Sequence, residues 1–469
     1  MLKNHISNLI TKNFNFSPTK GQKILINSLS EFVTEKNIFQ TLLVNGYAGT
    51  GKTSIISAFV KALDELHIKS ILLAPTGRAA KVLTKYTLKN ANTIHKKIYR
   101  QKSSKDGFGE FILDKNLHKN TFFIIDESSM ITNDSGSYSI FGSGRLLDDL
   151  ILYVYNNNNC KMILFGDIAQ LPPVGLDISP ALNKEVLENY DLEVISIGLN
   201  EVMRQAFQSG ILSNATTIRD NIANNNFKIK FNISSYNDIE KITGSELLEN
   251  LENSINKYGI EEVVIICRSN KRANEYNKGF RSRILYREGE ISTGDLLMVV
   301  KNNYFWLEDN DQIDFIANGD IIEIIKIHGF EELYGFRFAD VTIKLIDYQN
   351  IELRVKLILD SLMIDAASIP SERNKELFFA IAEDYSDLKT KKKIYKQVRE
   401  DKYFNALQVK FAYAITCHKS QGGQWKAVYI DQGYLTDDMI NKEYLRWLYT
   451  AVTRSTEKLY LINFSNKYF

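Results

Sequence analysis

No stretch constrains this chain more than Thr41 to Thr53, TLLVNGYAGTGKT. Thr41, Leu42, Leu43 and Val44 are apolar or β-branched, the composition of a strand covered on both faces. Gly46, Gly49 and Gly51 follow, and glycine backbone can take positive φ and approach a ligand closely. Lys52 and Thr53 then open a helix in which Ile55, Ile56, Phe59 and Leu63 fall at helical spacing. The pattern fits G-x-x-x-x-G-K-[ST], a loop whose successive N–H groups and helix N-terminus form a nest for phosphate. In such a loop Lys52 reaches the β- and γ-phosphates of a nucleotide, and the Thr53 hydroxyl binds Mg²⁺. A chance glycine-rich turn is the competing reading, and the strand before and the helix after weigh against it.

The rest of the composition sets bounds. At 469 residues the chain has room for about three domains. The net charge is +2, from 58 basic and 56 acidic residues, so any contact with nucleic acid must be local. Cys160, Cys267 and Cys417 are too few and too scattered for a disulfide frame or a zinc site. Each lies in or beside an apolar run, as buried thiols in a reducing cytoplasm do. No apolar run approaches membrane-span length, and the N-terminus lacks a signal-peptide core. A cytoplasmic protein is expected.

Ahead of the glycine-rich loop, Ser17 or Thr19 can cap a helix whose Leu25, Leu29 and Phe32 share one face. Gln22 sits in its first turn, and its amide suits reading the edge of an adenine. A solvated helix-start glutamine is the competing reading. After the loop, a strand at 70–74 ends in Pro75-Thr76-Gly77-Arg78, and Thr93-Ile94-His95-Lys96 follows a polar stretch. Small, hydroxyl and basic groups of this kind bond nucleic-acid phosphates without reading sequence. Residues 97–120 break the rhythm, and Asp106-Gly107 between β-formers predicts a hairpin. Phe108 and Phe111 fall near its tip. They could wedge a duplex or pack the hairpin onto its parent domain, and burial separates the two readings.

A strand at 121–125 ends in Asp126-Glu127. In a phosphate-loop chain, Asp126 would hold Mg²⁺ and Glu127 would polarise the attacking water. A strand at 160–165 ends in Gly166-Asp167-Ile168-Ala169-Gln170, and a rigid proline loop there could present Gln170 to the phosphate. Another at 192–197 leads to Leu199-Asn200-Glu201-Val202-Met203-Arg204. The strands at 41–45, 70–74, 121–125, 160–165 and 192–197 thus all end in polar residues, the signature of ligand binding at the carboxyl ends of a parallel sheet.

The second half repeats the pattern more thinly. Strands at 263–267 and 411–415 end in Arg268-Ser269-Asn270 and in Thr416-Cys417-His418-Lys419-Ser420. Further strands at 428–431 and 459–464 flank a helix carrying Tyr449-Thr450-Ala451-Val452-Thr453-Arg454. Between about 290 and 410, short β-like runs at 296–300, 321–327, 341–346 and 351–355 predict a small barrel. The basic run 389–396 reads as a solvated helix face or as a phosphate-tracking patch.

In this order the motifs resemble those of superfamily 1B DNA helicases, the RecD-like and Dda-type enzymes. GYAGTGKTS, APTGRAAKVL, TIHK, DESSM, GDIAQLPPV, LNEVMRQ, TCHKSQG and YTAVTR match motifs I, Ia, Ib, II, III, IV, V and VI. The resemblance implies an α/β fold of two RecA-like P-loop domains, 1–96 with 121–198 and 199–289 with 411–469. It implies a hairpin insert (1B) at 97–120 and an SH3-like β-barrel insert (2B) at 290–410. ATP and Mg²⁺ would sit at the domain junction, with Gln22, Gly46, Ala48, Gly49, Thr50, Gly51, Lys52, Thr53 and Ser54 around the nucleotide. Catalysis would fall to Lys52, Asp126, Glu127 and Gln170, with Arg204 and Arg454 reaching the γ-phosphate from the second domain. Pro75, Thr76, Thr93, His95, Thr416, His418 and Ser420 match DNA-contacting positions, and Phe108 or Phe111 would be the separating wedge.

The activity so implied is ATP-driven 5′-to-3′ movement on single-stranded DNA with unwinding of duplex at single-strand/double-strand junctions. A monomeric motor is expected, with single-strand-binding or repair proteins as possible partners. Two alternatives stand beside it: a translocase that strips proteins from DNA, and a nucleotide-switched DNA-binding subunit of a repair or recombination complex. Backbone contacts alone do not exclude RNA.

Overall fold

The computed structural model describes residues 2–101, 111–133, 141–156, 159–201, 209–307, 315–346, 348 and 351–469. Asp106, Gly107, Phe108 and Arg204 lie outside the described residues.

The phosphate-loop strand β1 (Gln40–Gly46) is followed by β2 (Lys69–Ala74) and the short β3 (Ala91–Thr93). The strands β4 (Tyr99–Gln101) and β5 (Phe111–Leu113) pair antiparallel as the base of a hairpin. Next come β6 (Thr121–Ile125), β7 (Lys161–Gly166) and β8 (Glu193–Leu199). Six of these strands form one parallel sheet in the order β3-β2-β6-β7-β1-β8. Side chains alternate between its faces, as the two-residue period of a strand requires. Leu42, Val44, Leu72, Ile124, Ile163 and Phe165 pack with Leu25, Leu29, Ile56 and Phe59 on one side. Leu43, Leu73, Phe123, Ile125, Met162 and Leu164 pack with Ile94, Ile98, Leu147 and Leu150 on the other. Each such fully buried side chain contributes about 1.5–3 kcal/mol, and apolar cover on both faces makes these strands near-continuous apolar runs. The helix Leu2–Asn13 adds Ile6 and Ile10 to the first of these cores.

A second parallel sheet has the order β16-β10-β17-β18-β9, from β9 (Ile239–Ile242), β10 (Val263–Cys267), β16 (Ala414–Thr416), β17 (Trp425–Asp431) and β18 (Ser455–Ile462). Between β10 and β16 lies a closed barrel of β11 (Leu296–Val299), β12 (Ile321–Leu333), β13 (Phe336–Leu345), β14 (Ile351–Ile358) and β15 (Leu407–Phe411). The apparent single strand at 411–415 is therefore two. Phe411 closes the barrel on β11, and Ala414 starts the strand that joins the second sheet. Between them Tyr413 is buried, with its hydroxyl on Asp295 and the Leu296 N–H. Helices Ser371–Asp384 and Lys391–Arg399 interrupt β14 and β15 and cover Phe336 and Phe338. The basic run lies on the second of them, with Lys391, Lys392 and Lys393 exposed. Among the described residues no helix is long and apolar enough to cross a membrane.

Asp295 ties barrel to sheet. Its fully buried carboxylate accepts from Arg281 on the helix Asn270–Arg283 at 3.0 and 3.2 Å, from Arg287 at 2.7 Å and from the Ser292 N–H at 2.7 Å. Removing one member of such a network strands the others without water. Asp295→Ala is therefore expected to cost about 3 kcal/mol or more in urea unfolding. A loss below about 1 kcal/mol, the range of an exposed pair, would contradict this account of the joint.

Candidate active site

Strand order assembles the site. β7 lies between β6 and β1, with Ile125 opposite Leu164 and Asn45 opposite Gly166. The carboxyl ends of three adjacent strands thus deliver Asp126-Glu127, Asp167-to-Gln170 and the glycine-rich loop to one place. Ligands bind at such ends in open α/β sheets.

The loop turns through Gly49 at φ +74° and Gly51 at φ +81°, left-handed backbone that glycine adopts without a steric penalty. Gly51 is the cap of the helix Lys52–Glu65 and offers no side-chain bond to it. The helices beginning after Thr19, Thr76, Thr93, Ser209 and Ser269 all have side-chain caps. The first-turn N–H groups of Lys52–Glu65 therefore lie open to an anion. Lys52 Nζ curls back to donate to the Gly46 carbonyl at 2.6 Å and the Tyr47 carbonyl at 3.1 Å. Gly46 makes room for it, since a Cβ there would stand 2.9 Å from Lys52 Cγ. Gln22 holds the loop from behind. It is buried, neither solvated nor open to the cavity, with Nε2 donating to the Thr50 carbonyl and Oε1 accepting from the Thr19 N–H, both at 2.9 Å.

Asp126 Oδ1 accepts from the Glu127 N–H at 2.9 Å. Burial and the Glu127 carboxylate raise the Asp126 pKa above the ordinary range, and Lys52 opposes them. Glu127 itself is left-handed, at φ +53°. For a residue with a Cβ that conformation costs about 1–2 kcal/mol, and such strain clusters at functional positions. Gln170 is 4% exposed, and its buried Oε1 has no hydrogen-bond partner among the described residues. From the second sheet comes Arg454, 3% exposed. Its guanidinium donates to the Thr450 carbonyl, the Gly423 carbonyl and Thr453 Oγ1, using three of five N–H donors. Lys52, Thr53, Ser54, Asp126, Glu127, Gln170 and Arg454 line one cavity of about 450 Å³. Arg204 lies outside the described residues.

The residues expected to meet DNA divide. Half-exposed Pro75 and Thr76 end β2, and half-exposed Thr416 and exposed His418 end β16. The loop after the helix Cys417–Ser420 reaches the residues that follow β2: a Cβ on Gly422 would lie 3.0 Å from Thr76 Oγ1. Thr76 Oγ1 caps a helix by accepting from the Ala79 N–H at 3.2 Å. Thr93 is 7% exposed, and its hydroxyl likewise caps Lys96. Ser420 corrects the expectation from sequence. It is fully buried and donates to the Cys417 carbonyl at 2.7 Å, so its side chain does not face a nucleic acid here. Phe111 is a second correction. It is 5% exposed, with ring centroids 5.0 Å from Phe141 and 4.3 Å from Tyr304 of the barrel segment. It packs the hairpin base and is not a free wedge.

Sequence reasoning passed over Tyr449, which bridges the Ala48 N–H and Asp167, and Arg219, which stacks over Tyr47 at 4.6 Å. A buried tyrosine needs a partner for its hydroxyl. That was the available signal for Tyr449, on the same helix as Thr450 and close before Arg454.

His95 packs edge-on to Phe141 at 4.8 Å, beside Tyr99. Burial lowers its pKa to about 4. The unfolded chain takes up this proton near pH 6.5 and the folded chain only near 4, so stability falls as pH drops between those values. His95→Gln should flatten that fall, read as the difference in unfolding free energy between pH 7 and pH 5. An unchanged difference would contradict a neutral, packed His95.

Comparison with known proteins bears on this cavity. Residues 411–462 match the UvrD-like helicase C-terminal domain, and residues 31–176 match an AAA domain. An uncharacterized protein of Acanthamoeba polyphaga mimivirus is 26% identical, over 93% of this chain and 98% of its own length. The ATP-dependent DNA helicase dda of Enterobacteria phage T4 is 25% identical, over 70% of this chain and 73% of its own. A crystal structure of Pif1 helicase from Bacteroides with ADP-AlF3 and single-stranded DNA aligns over 97% of this chain and 95% of that one, at 15% identity and a TM-score of 0.48. The AAA match holds Lys52, Asp126, Glu127 and Gln170, the UvrD-like helicase match holds Arg454, and one cavity joins the two, so at both halves of the site this chain is similar to superfamily 1B DNA helicases.

Proposed function

We propose that the protein is an ATP-driven motor that steps 5′ to 3′ along single-stranded DNA and separates the duplex ahead of it. One observation carries the reading: Lys52, Glu127 and Gln170 from one sheet and Arg454 from the other face a single cavity. The polarity rests on the resemblance to the Dda-type enzymes.

The residues divide the work by their chemistry. The open N–H groups of the Lys52–Glu65 helix and the Lys52 ammonium bind the phosphate chain of ATP. The Thr53 hydroxyl and Asp126 are a sparse oxygen set of the kind Mg²⁺ accepts when phosphate and water complete its shell. A carboxyl raised by a neighbouring carboxylate is also a site that a cation relieves. Bound there, Mg²⁺ would supply charge neutralisation to the phosphates. Glu127 accepts a proton from the attacking water, and the unpartnered Gln170 Oε1 accepts a hydrogen bond from it. The remaining Arg454 donors stabilise charge on the γ-phosphate.

Movement follows from differential contact. Arg454 gains its anionic partner only while the γ-phosphate is present, so ATP favours a closed junction and hydrolysis releases it. Thr76 from the first lobe lies against Gly422 of the second, which follows Thr416 and His418 in the chain. Closing and opening there shifts one grip on a DNA backbone relative to the other. Backbone contacts make binding sequence-tolerant and salt-sensitive.

The test is unwinding of two forked duplexes, one with a single-stranded 5′ tail only and one with a 3′ tail only. Displacement from the 5′-tailed substrate is expected to be faster by about tenfold or more. Faster displacement from the 3′-tailed substrate would overturn the polarity.

A further inference from the structure

We propose that Tyr449 is a positioning residue that joins the phosphate loop to the Gln170 loop across the junction of the two sheets. The inference rests on reading the cavity as the site of ATP hydrolysis.

Tyr449 belongs to the second lobe. Its helix, Lys442–Val452, packs Leu445, Leu448 and Val452 into the core shared with β17 and β18. Yet its hydroxyl serves the first lobe. It accepts from the Ala48 N–H at 2.8 Å and donates to Asp167 Oδ2 at 2.7 Å. Asp167 Oδ1 accepts from the Ala169 N–H at 2.9 Å, and the Asp167 carbonyl accepts from the Gln170 N–H at 3.3 Å. The next residue grips the other side of Gln170, with Thr450 Oγ1 accepting from the Leu171 N–H at 2.8 Å. The Thr450 carbonyl accepts from Arg454 Nε at 2.9 Å.

One helical turn therefore holds the backbone on both sides of Gln170, a phosphate-loop N–H, and the arginine that faces the same cavity. Among the described residues nothing bonds Gln170 Oε1 to aim it, so its aim is inherited from these backbone anchors. Tyr449 is 1% exposed. Burial and the Asp167 carboxylate keep its phenol protonated, which the donation to Asp167 requires. In a buried N–H to O–H to carboxylate chain each bond polarises the next, and losing the middle oxygen leaves both ends unpaired. A tyrosine that merely filled space would not need this oxygen.

The experiment compares steady-state ATP hydrolysis at saturating single-stranded DNA for wild type, Tyr449→Phe, Asp167→Asn and the double variant. Lys52→Ala serves as control, with fluorescent-ADP affinity and thermal midpoints alongside. Phenylalanine keeps the ring and removes only the hydroxyl. Each single change is expected to lower kcat about tenfold, with the KM for ATP and the ADP affinity within about threefold. Because both act through one bond, the double variant should be no slower than the slower single. A Tyr449→Phe kcat within about twofold of wild type, or single effects that multiply to about a hundredfold, overturns the inference. Should Tyr449→Phe melt below the assay temperature, Asp167→Asn carries the same test, since it weakens the same bond with the ring in place. Wild-type hydrolysis that does not depend on Lys52 would overturn the site reading and this inference with it. Lys52-dependent hydrolysis indifferent to Tyr449→Phe overturns the inference alone.

Discussion

An uncapped helix start is what the cleft is built around. The backbone at Gly49 and Gly51 is left-handed, so the chain passes from β1 into the helix Lys52–Glu65 with no side chain bonding its first turn. Those N–H groups and the partial positive charge of the helix end want an anion. Neighbouring structure keeps them aimed rather than satisfied. Gln22 pins the Thr50 carbonyl from behind, Lys52 lies over the carbonyls of Gly46 and Tyr47, and Tyr449 holds the Ala48 N–H from across the junction. The strained Glu127 backbone and the orphaned Gln170 Oε1 are local costs of the same arrangement, borne where chemistry needs groups that the fold itself does not use.

The barrel insert is more than an appendage to the second sheet. Asp295 fastens it to that sheet through Arg281 and Arg287. On its other side it meets the first lobe, where Lys81 donates to the Ile346 carbonyl and Gly77 faces Asp320 and Tyr348 at a distance that leaves no room for a Cβ. The hairpin base reaches it too, through Phe111 and Tyr304. The barrel thus touches the first lobe, the second sheet and the hairpin base at once.

Much of this was legible in the chain because parallel strands covered on both faces read as apolar runs, and each run here stops at its functional residues. β1, β2, β6, β7 and β8 could be placed within a residue or two, and so could the Asp126-Glu127 pair and Arg454. What escaped depends on partners distant in sequence. Nothing local says that Gln22 bonds the Thr50 carbonyl or that Ser420 turns inward to Cys417. Phe111 beside a turn reads as a tip residue until Phe141 and Tyr304 are seen against it. Tyr413 sits in a run that reads as one strand, and only its bond to Asp295 reveals the break between barrel and sheet. The edge strands β3 and β9 are short and half polar, so alternation gave no handle on them.

The central claim is that one nucleotide is clasped by two lobes, with Arg454 acting on the γ-phosphate from the second. Its most direct test is the Arg454→Ala protein, measured both for affinity toward a non-hydrolysable ATP analogue and for single-turnover hydrolysis with single-stranded DNA. The account predicts analogue affinity within about tenfold of wild type and a hydrolysis rate lower by about a thousandfold. A rate within about tenfold of wild type would contradict it, since the cleft would then hydrolyse ATP without the lobe that is meant to close on it.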